Sequence, residues 1–395
     1  GTLFYWRARA RVFIARDIKT VEDYTKALEY GYEDRYGVYI LRGKANDALG
    51  RRREALRDLT AAVNIEPEQT RAYGERGALL YVLKRYVPAE RDLSRALELD
   101  PSESGALVYL GLIDLVMGRY DRAEERFGKA MSSERDRVIA HHNLAAVYLL
   151  TRRPGKANDL LREVWRDFDT QTNNYVYAAV LRYFCLLNQE KEGAGRAFLE
   201  EVYDSAAPNI RAYPLLRYLN GDWSADELIG SFGDDRQGQT MAHAVIGLEN
   251  LYAGRKSEAV EHLRRSVHEG AAAPFSTQAL LEYRNLAAED PGLKDVVPAS
   301  VYFEPDPVRQ GHWGRLVAEY IPFPGEVTVK ETWTIHSPGL TSPPLDKAYT
   351  ITHEDHRHVS DFRIPEKIEP GLYELRMKVT FDGEERKIAG EFKIR

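Results

Sequence analysis

Five of the ten histidines, His312, His336, His353, His356 and His358, fall in the C-terminal quarter of this 395-residue chain. His353 and His356 flank Glu354-Asp355, so a tight hairpin would bring the two imidazoles face to face. With His358 or a carboxylate they could then hold a transition metal. Two such ligands without a fixed third fall short of a metal centre, and a wet loop with scattered histidines is the simpler expectation. Cys185 with His141 or His142 could in principle supply a nucleophile and its base. All three sit in stretches patterned as core helix, where a buried structural thiol is the expectation. The chain has no Gly-rich phosphate loop, no His-Glu-x-x-His, no Gly-x-Ser-x-Gly and no paired-cysteine motif. Neither an enzymatic activity nor a cofactor is expected.

Charged residues recur at a fixed interval. Arg7 stands sixteen residues before Asp23, Arg42 before Asp58, and Arg76 before Asp92. At the next two equivalent places stand Leu110 with Arg126 and Leu144 with Leu160, so where the arginine is lost the aspartate is lost too. This coupling predicts half-buried, charge-assisted pairs in which each arginine crosses from one helix to an aspartate on the next. The other reading is a stripe of arginines that grips an acidic peptide, but the aspartates would neutralise it.

The elements that must position these residues follow a 34-residue beat. Blocks begin at Tyr36, Thr70, Ser104, Val138, Thr172, Ala206 and Thr240, each 34 residues apart, and one from Gly1 joins a residue out of step. Small residues mark two positions: Gly43, Gly77, Gly111, Ala145 and Gly247 at one, and Ala55, Ala89, Ala123, Ala157, Ala225 and Ala259 at the other. A fixed period of this length signals stacked supersecondary units that bury their apolar faces on one another. Within the block from Thr70, a first helix is expected over Thr70–Leu83, a turn around Lys84-Arg85-Tyr86, and a second helix over Pro88–Leu99. Gly118 and Gly254 mark the same turn elsewhere. The phasing weakens between residues 172 and 239, where Ser224 is expected to cap a short helix.

The sequence Tyr73, Gly77, Ala89, Leu93, Ala96, Pro101 resembles the pattern of the tetratricopeptide repeat (TPR) family. The resemblance implies a right-handed α-solenoid of about eight helix pairs over residues 1–273. A capping helix and linker would follow over 274–298, the helix giving the solenoid a polar-faced end. It also implies a non-catalytic scaffold that binds a protein or peptide along a groove lined by the first helix of each pair. Carried over position by position, that groove contains Arg71, Tyr81, Val108, Leu112, Leu115, His142, Asn143 and Leu149. Its centre is apolar, which suits an amphipathic helix or an extended apolar segment. The groove could equally be filled by another part of the same chain. The carboxylate clamp of chaperone-binding members is absent: Ile40 and Glu75 occupy two of its places, and only Asn143 fits.

Near Pro291 the period becomes two and Pro and Gly increase. From Tyr373 to Phe381 every odd residue is apolar and every even one polar, the pattern of a half-buried strand. Asp382-Gly383 then separates it from a second alternating run, Lys387 to Ile394, as in a hairpin. Further strands are expected at Val301–Glu304, Arg315–Ile321, Val327–Ile335 (interrupted at Glu331), Tyr349–His353 and His358–Ile364. About seven short strands over 299–395 predict a β-sandwich, and Pro370-Gly371-Leu372-Tyr373 resembles the strand entry of immunoglobulin-like and fibronectin-like domains. The fold class is therefore multidomain, all-α followed by all-β.

The net charge of −6 comes from interleaved acids and bases, which argues against nucleic acid as a partner. No apolar run is long enough for a membrane span. The segment Phe4 to Arg11 carries too many charges for a signal-peptide core, so any export signal or anchor would lie upstream. By analogy, arrays fused to small β domains suggest a role in bacterial envelope assembly or secretion, with the periplasm or envelope favoured over the cytoplasm. An alternative makes the β-sandwich a metal- or carbohydrate-binding module and the array a spacer.

Overall fold

The computed structural model describes residues 1–14, 18–163, 165, 169–269, 275–290, 297–304, 313–321, 327–337, 340–341, 345–351, 357–363, 371–381 and 384–394. Among them the chain forms seventeen α-helices and then eight β-strands. It divides into two compact units, Gly1–Asp114 with Arg122–Ala140, and Leu115–Asp121 with His141–Arg395.

The first unit contains α1 (Thr2–Ile14), α2 (Ile18–Glu29), α3 (Arg35–Ala48), α4 (Arg52–Ile65), α5 (Thr70–Val82) and α6 (Tyr86–Leu99). It also holds α7 (Ser104–Val116) as far as Asp114, and α8 (Tyr120–Ala130) from Arg122. Consecutive helices pack as hairpins, and the small residues explain how closely they approach. A Cβ added to Gly77 of α5 would lie 2.6 Å from Leu93 Cγ of α6. One added to Gly111 of α7 would lie 2.7 Å from Phe127 Cε1 of α8. Ala55, Ala89 and Ala123 are fully buried at the facing positions, as ridge-into-groove contact requires. Helix α6 begins two residues before Pro88, which still falls in the first turn, where its missing N–H costs nothing.

In several of the described pairs the reversal after the first helix uses a left-handed residue. It recurs at Gly50, Lys84, Gly118, Arg152 and Gly254, with φ of 74°, 57°, 73°, 58° and 82°. Gly155 plays no part in this turn; it lies inside α10 (Pro154–Glu163).

The second unit continues from His141 in α9 (Arg137–Leu150) through α10 and α11 (Asn173–Leu187) to α12 (Glu192–Ser205). Two short helices, α13 (Tyr213–Leu219) and α14 (Ala225–Gly230), occupy the degenerate stretch. Ser224 starts α14 through a reciprocal capping box with Glu227. Then come α15 (Arg236–Tyr252), α16 (Lys256–Glu269) and α17 (Ser276–Glu289).

Helix α17 corrects one expectation. It has no polar outer face: Gln278, Glu282, Tyr283 and Arg284 are buried along with Ala279, Leu280, Leu281, Leu286 and Ala287. A helix buried nearly all round is an internal element, not an end cap.

The strands are β1 (Val297–Glu304), β2 (Trp313–Ile321), β3 (Val327–Ser337), β4 (Leu340–Thr341), β5 (Leu345–Ile351), β6 (Arg357–Arg363), β7 (Gly371–Phe381) and β8 (Glu384–Ile394). They make two antiparallel sheets, one ordered β1-β2-β6 and the other β4-β3-β7-β8, with β5 also on β3. Strands β7 and β8 pair in register from Gly371↔Ile394 to Phe381↔Glu384; Asp382-Gly383 itself lies outside the described residues. Tyr373, Leu375, Met377 and Val379 are buried on one face of β7. Glu331 does not interrupt β3. It keeps the alternation and points inward, fully buried.

Candidate functional site

The arginine–aspartate pairs lie in the first unit. Arg42 Nε donates to Asp58 Oδ2 at 2.9 Å and its NH2 to Oδ1 at 2.6 Å. Arg76 meets Asp92 in the same two-pronged way, at 2.6 and 2.8 Å. Arg7 Nε donates to Asp23 Oδ2 at 2.8 Å, and Arg11 joins it at 2.7 Å. The hydrogen bond from Arg7 holds the Asp23 carboxyl below its ordinary range, against the opposing effect of burial. Two of the guanidinium groups also reach back one hairpin, from Arg42 to Thr25 Oγ1 at 3.1 Å and from Arg76 to Thr60 Oγ1 at 3.4 Å. One arginine thus ties three helices together.

The next hairpin inverts the pair. Arg126 of α8 donates to the fully buried Asp114 of α7 and, at 3.2 Å, to the Leu110 carbonyl. The acid has moved to the first helix and the base to the second. An isolated acid in the apolar stretch Leu112–Val116 was the available signal.

The groove residues inferred by resemblance divide between the units. In the first, Arg71 is exposed, Tyr81 and Leu112 are half-buried, and Val108 is buried. The Tyr81 ring lies 5.6 Å from that of Tyr109 and 5.9 Å from that of Tyr86. In the same unit Lys44 Nζ lies 2.5 Å from Glu75 Oε1. In the second, Leu115 and Leu149 are core residues, 2% and 0% exposed. Val108, Leu115 and Leu149 therefore offer no surface to a partner. Their side chains are consumed in packing between helices.

His142 and Asn143 remain half-buried, but His142 is covered from within the unit. The Phe275 ring lies 6.0 Å from it, 5.9 Å from Tyr177 and 6.1 Å from Phe184. Burial pushes the His142 imidazole down to about 4, so it is neutral at physiological pH. Phe275 opens α17 with a left-handed φ of 66°. Beyond it a polar network fixes the helix. Glu282 accepts from Tyr252 Oη at 2.8 Å and from Arg152 NH1 and NH2 at 3.3 and 3.2 Å, and Gln278 donates to Tyr252 Oη at 2.8 Å. Burial raises the Glu282 carboxyl, offset in part by Arg152. Arg284 donates to the Val116 carbonyl at 3.1 Å and to Tyr120 Oη at 3.0 Å. None of these latch residues was singled out in the sequence. The signal was there: Thr240 plus one more beat falls at residue 274, and α17 carries Gln278, Glu282 and Arg284 amid apolar neighbours.

Cys185 is fully buried in α11, and burial pushes its thiol up. It is a protonated core side chain, not a nucleophile. Of the three candidate metal ligands, His353 and His356 lie outside the described residues. His358 turns inward: its Nδ1 lies 2.5 Å from Glu331 Oε2 and its Nε2 3.4 Å from Ser360 Oγ. Glu331 also accepts from Tyr320 Oη and, at 2.9 Å, from Trp333 Nε1. This buried carboxylate joins β2 and β6 of one sheet to β3 of the other. Among the described residues no group of three or more His, Cys, Asp or Glu could hold a metal ion. No described helix is long and apolar enough to cross a membrane.

No family model matches the chain, and no curated protein matches it. Similar solved structures include a tetratricopeptide repeat protein from Parabacteroides merdae, 20% identical over 55% of this chain and 82% of that one, with a TM-score of 0.43. Pseudomonas aeruginosa PilF is 17% identical over 66% of this chain and 100% of that one, with a TM-score of 0.41. PilW, a type IV pilus biogenesis factor, is 13% identical over 51% and 92%, with a TM-score of 0.44.

Proposed function

We propose that the chain is a non-catalytic protein-interaction scaffold that binds a partner segment along the first-helix face of its first unit. One contrast carries this reading. In the first unit Arg71 is exposed and Tyr81 and Leu112 are half-buried, whereas in the second unit Leu115 and Leu149 are core residues and the half-buried His142 has the Phe275 ring 6.0 Å away. The half-buried Tyr81 and Tyr109, with rings 5.6 Å apart, have the aromatic composition of a binding hot spot. The strands we read as an immunoglobulin-like β-sandwich and second contact module. The order β1-β2-β6 against β5-β3-β7-β8 supports this, since it matches the A-B-E and C′-C-F-G arrangement of such domains. The setting we infer, by analogy, is a bacterial envelope assembly or secretion complex. A metal- or sugar-binding role for the strands is not favoured: His358 and Trp333 are spent on the buried Glu331.

Photo-crosslinking in cells tests the reading. Benzoylphenylalanine in place of Tyr81 is expected to give an adduct with a second protein, and in place of His142 an adduct with the chain's own α17. A foreign adduct from position 142, with none from position 81, would place the partner in the second unit and overturn the assignment.

A further inference from the structure

Helices α15 and α16 meet across a pair of imidazoles that no role above accounts for. His243 on α15 is 4% exposed, and its Nδ1 lies 3.0 Å from Nδ1 of His262 on α16. The ring centroids are 5.2 Å apart. Two N–H groups cannot point at one another at this distance. One Nδ1 must donate and the other must accept, so the contact exists only while at least one ring is neutral. The surroundings favour two neutral rings. Burial is the main cause that pushes His243 down to about 4, with His262 and Arg265 adding to it. Burial and Arg265 lower His262 as well. The charged groups acting on the pair are Arg265 and Glu261 from α16 and Asp226 from α14. Glu261 is itself engaged by Arg265 at 2.7 Å, which leaves little negative charge to hold a second proton. Helices α11 and α17 also pack on α15, and among the described residues neither supplies an ionised group that shifts the pair.

We propose that the His243–His262 contact is an acid-labile clasp: when both imidazoles take up protons the hydrogen bond becomes a repulsion, and the α15–α16 hairpin opens together with the α17 packed on it. The direction follows from linkage. Both groups titrate lower in the folded chain than in the unfolded one, where histidine titrates near 6.5. Above that pH neither state takes up protons, and the full stability is present. As the pH falls toward about 4 the unfolded or opened chain binds protons that the closed pair refuses, and stability is lost. A depression of this size weakens closure by a factor of roughly 100 or more across the window. The clasp is independent of where a partner binds.

Two measurements on the full chain test it. In a nitrogen-detected titration of histidine-labelled protein, His243 is expected to stay neutral at pH 5.5 and His262 to titrate below the ordinary histidine range, with one proton shared at Nδ1. The second reads the single cysteine. Cys185 is fully buried on α11, which packs on α15, so its labelling by dithiodipyridine, a reagent active at acidic pH, reports opening. Labelling should accelerate at least tenfold between pH 7 and pH 4.5 in the native chain and markedly less in His262→Phe, where only His243 remains to take up a proton. Histidines that both titrate near pH 6.5, or an equal acceleration in the variant, would overturn the clasp. Should His262→Phe fail to fold, the titration of the native chain decides alone.

Discussion

Arg42 is 18% exposed at its side chain and Asp58 7%, so their pair is neither a surface ion pair of little consequence nor a fully dry one. Breaking it from one side strands a charge, whereas removing both charges relieves a desolvation cost. Asp58→Leu should therefore destabilise the first unit by about 1–3 kcal/mol. The double change Arg42→Leu with Asp58→Leu should recover part of that loss, and chemical denaturation of the four-member cycle measures it. The spacing of sixteen residues displays such pairs because both partners occupy fixed places in the repeat. Arg126 with Asp114 does not follow that spacing. The acid there sits one helical turn beyond the usual arginine position, outside the fixed places of the repeat. The partners of Glu331 were hidden for a related reason. They lie on three different strands, and alternation along one strand says nothing of what faces it.

At the scale of helices, the glycines separate packing from propensity. Gly77 and Gly128 are both helical, but a Cβ on Gly77 would meet Leu93 at 2.6 Å, while one on Gly128 would meet nothing within 4 Å. Gly77→Ala should cost about 1–3 kcal/mol through overpacking. Gly128→Ala should gain up to about 1 kcal/mol from helix propensity. Thermal unfolding of the two variants against the native chain checks the opposite signs. Helix pairs and their small contact residues were legible in the sequence because both follow the local 34-residue beat. The left-handed turn was legible at Gly118 and Gly254. Lys84 and Arg152 adopt the same conformation with side chains that give no such hint. Helix α17 was legible as a helix but not as an interior one. Its contacts with Val116, Tyr120 and Arg152 join positions 130 to 168 residues apart, and no sequence period encodes them.

For the whole chain, the repeat sets the architecture and its departures set where first-helix surface stays accessible. Two units built on one beat use it differently. The first leaves Arg71, Tyr81 and Leu112 with accessible surface. The second turns its own chain inward, with Phe275 among His142, Tyr177 and Phe184 and with Glu282 held by Arg152 and Tyr252. Apolar surface lined by helices is seldom left uncovered, and here a segment of the same chain covers it. Deuterium exchange of the intact protein tests that occupation most directly. Amides of α17, residues 276–289, should exchange as slowly as those of α11 and should quicken in Phe275→Ala, which removes a ring from three aromatic neighbours. Exchange of α17 within seconds to minutes in the native chain, as for a terminal helix lying free in solvent, would contradict the account.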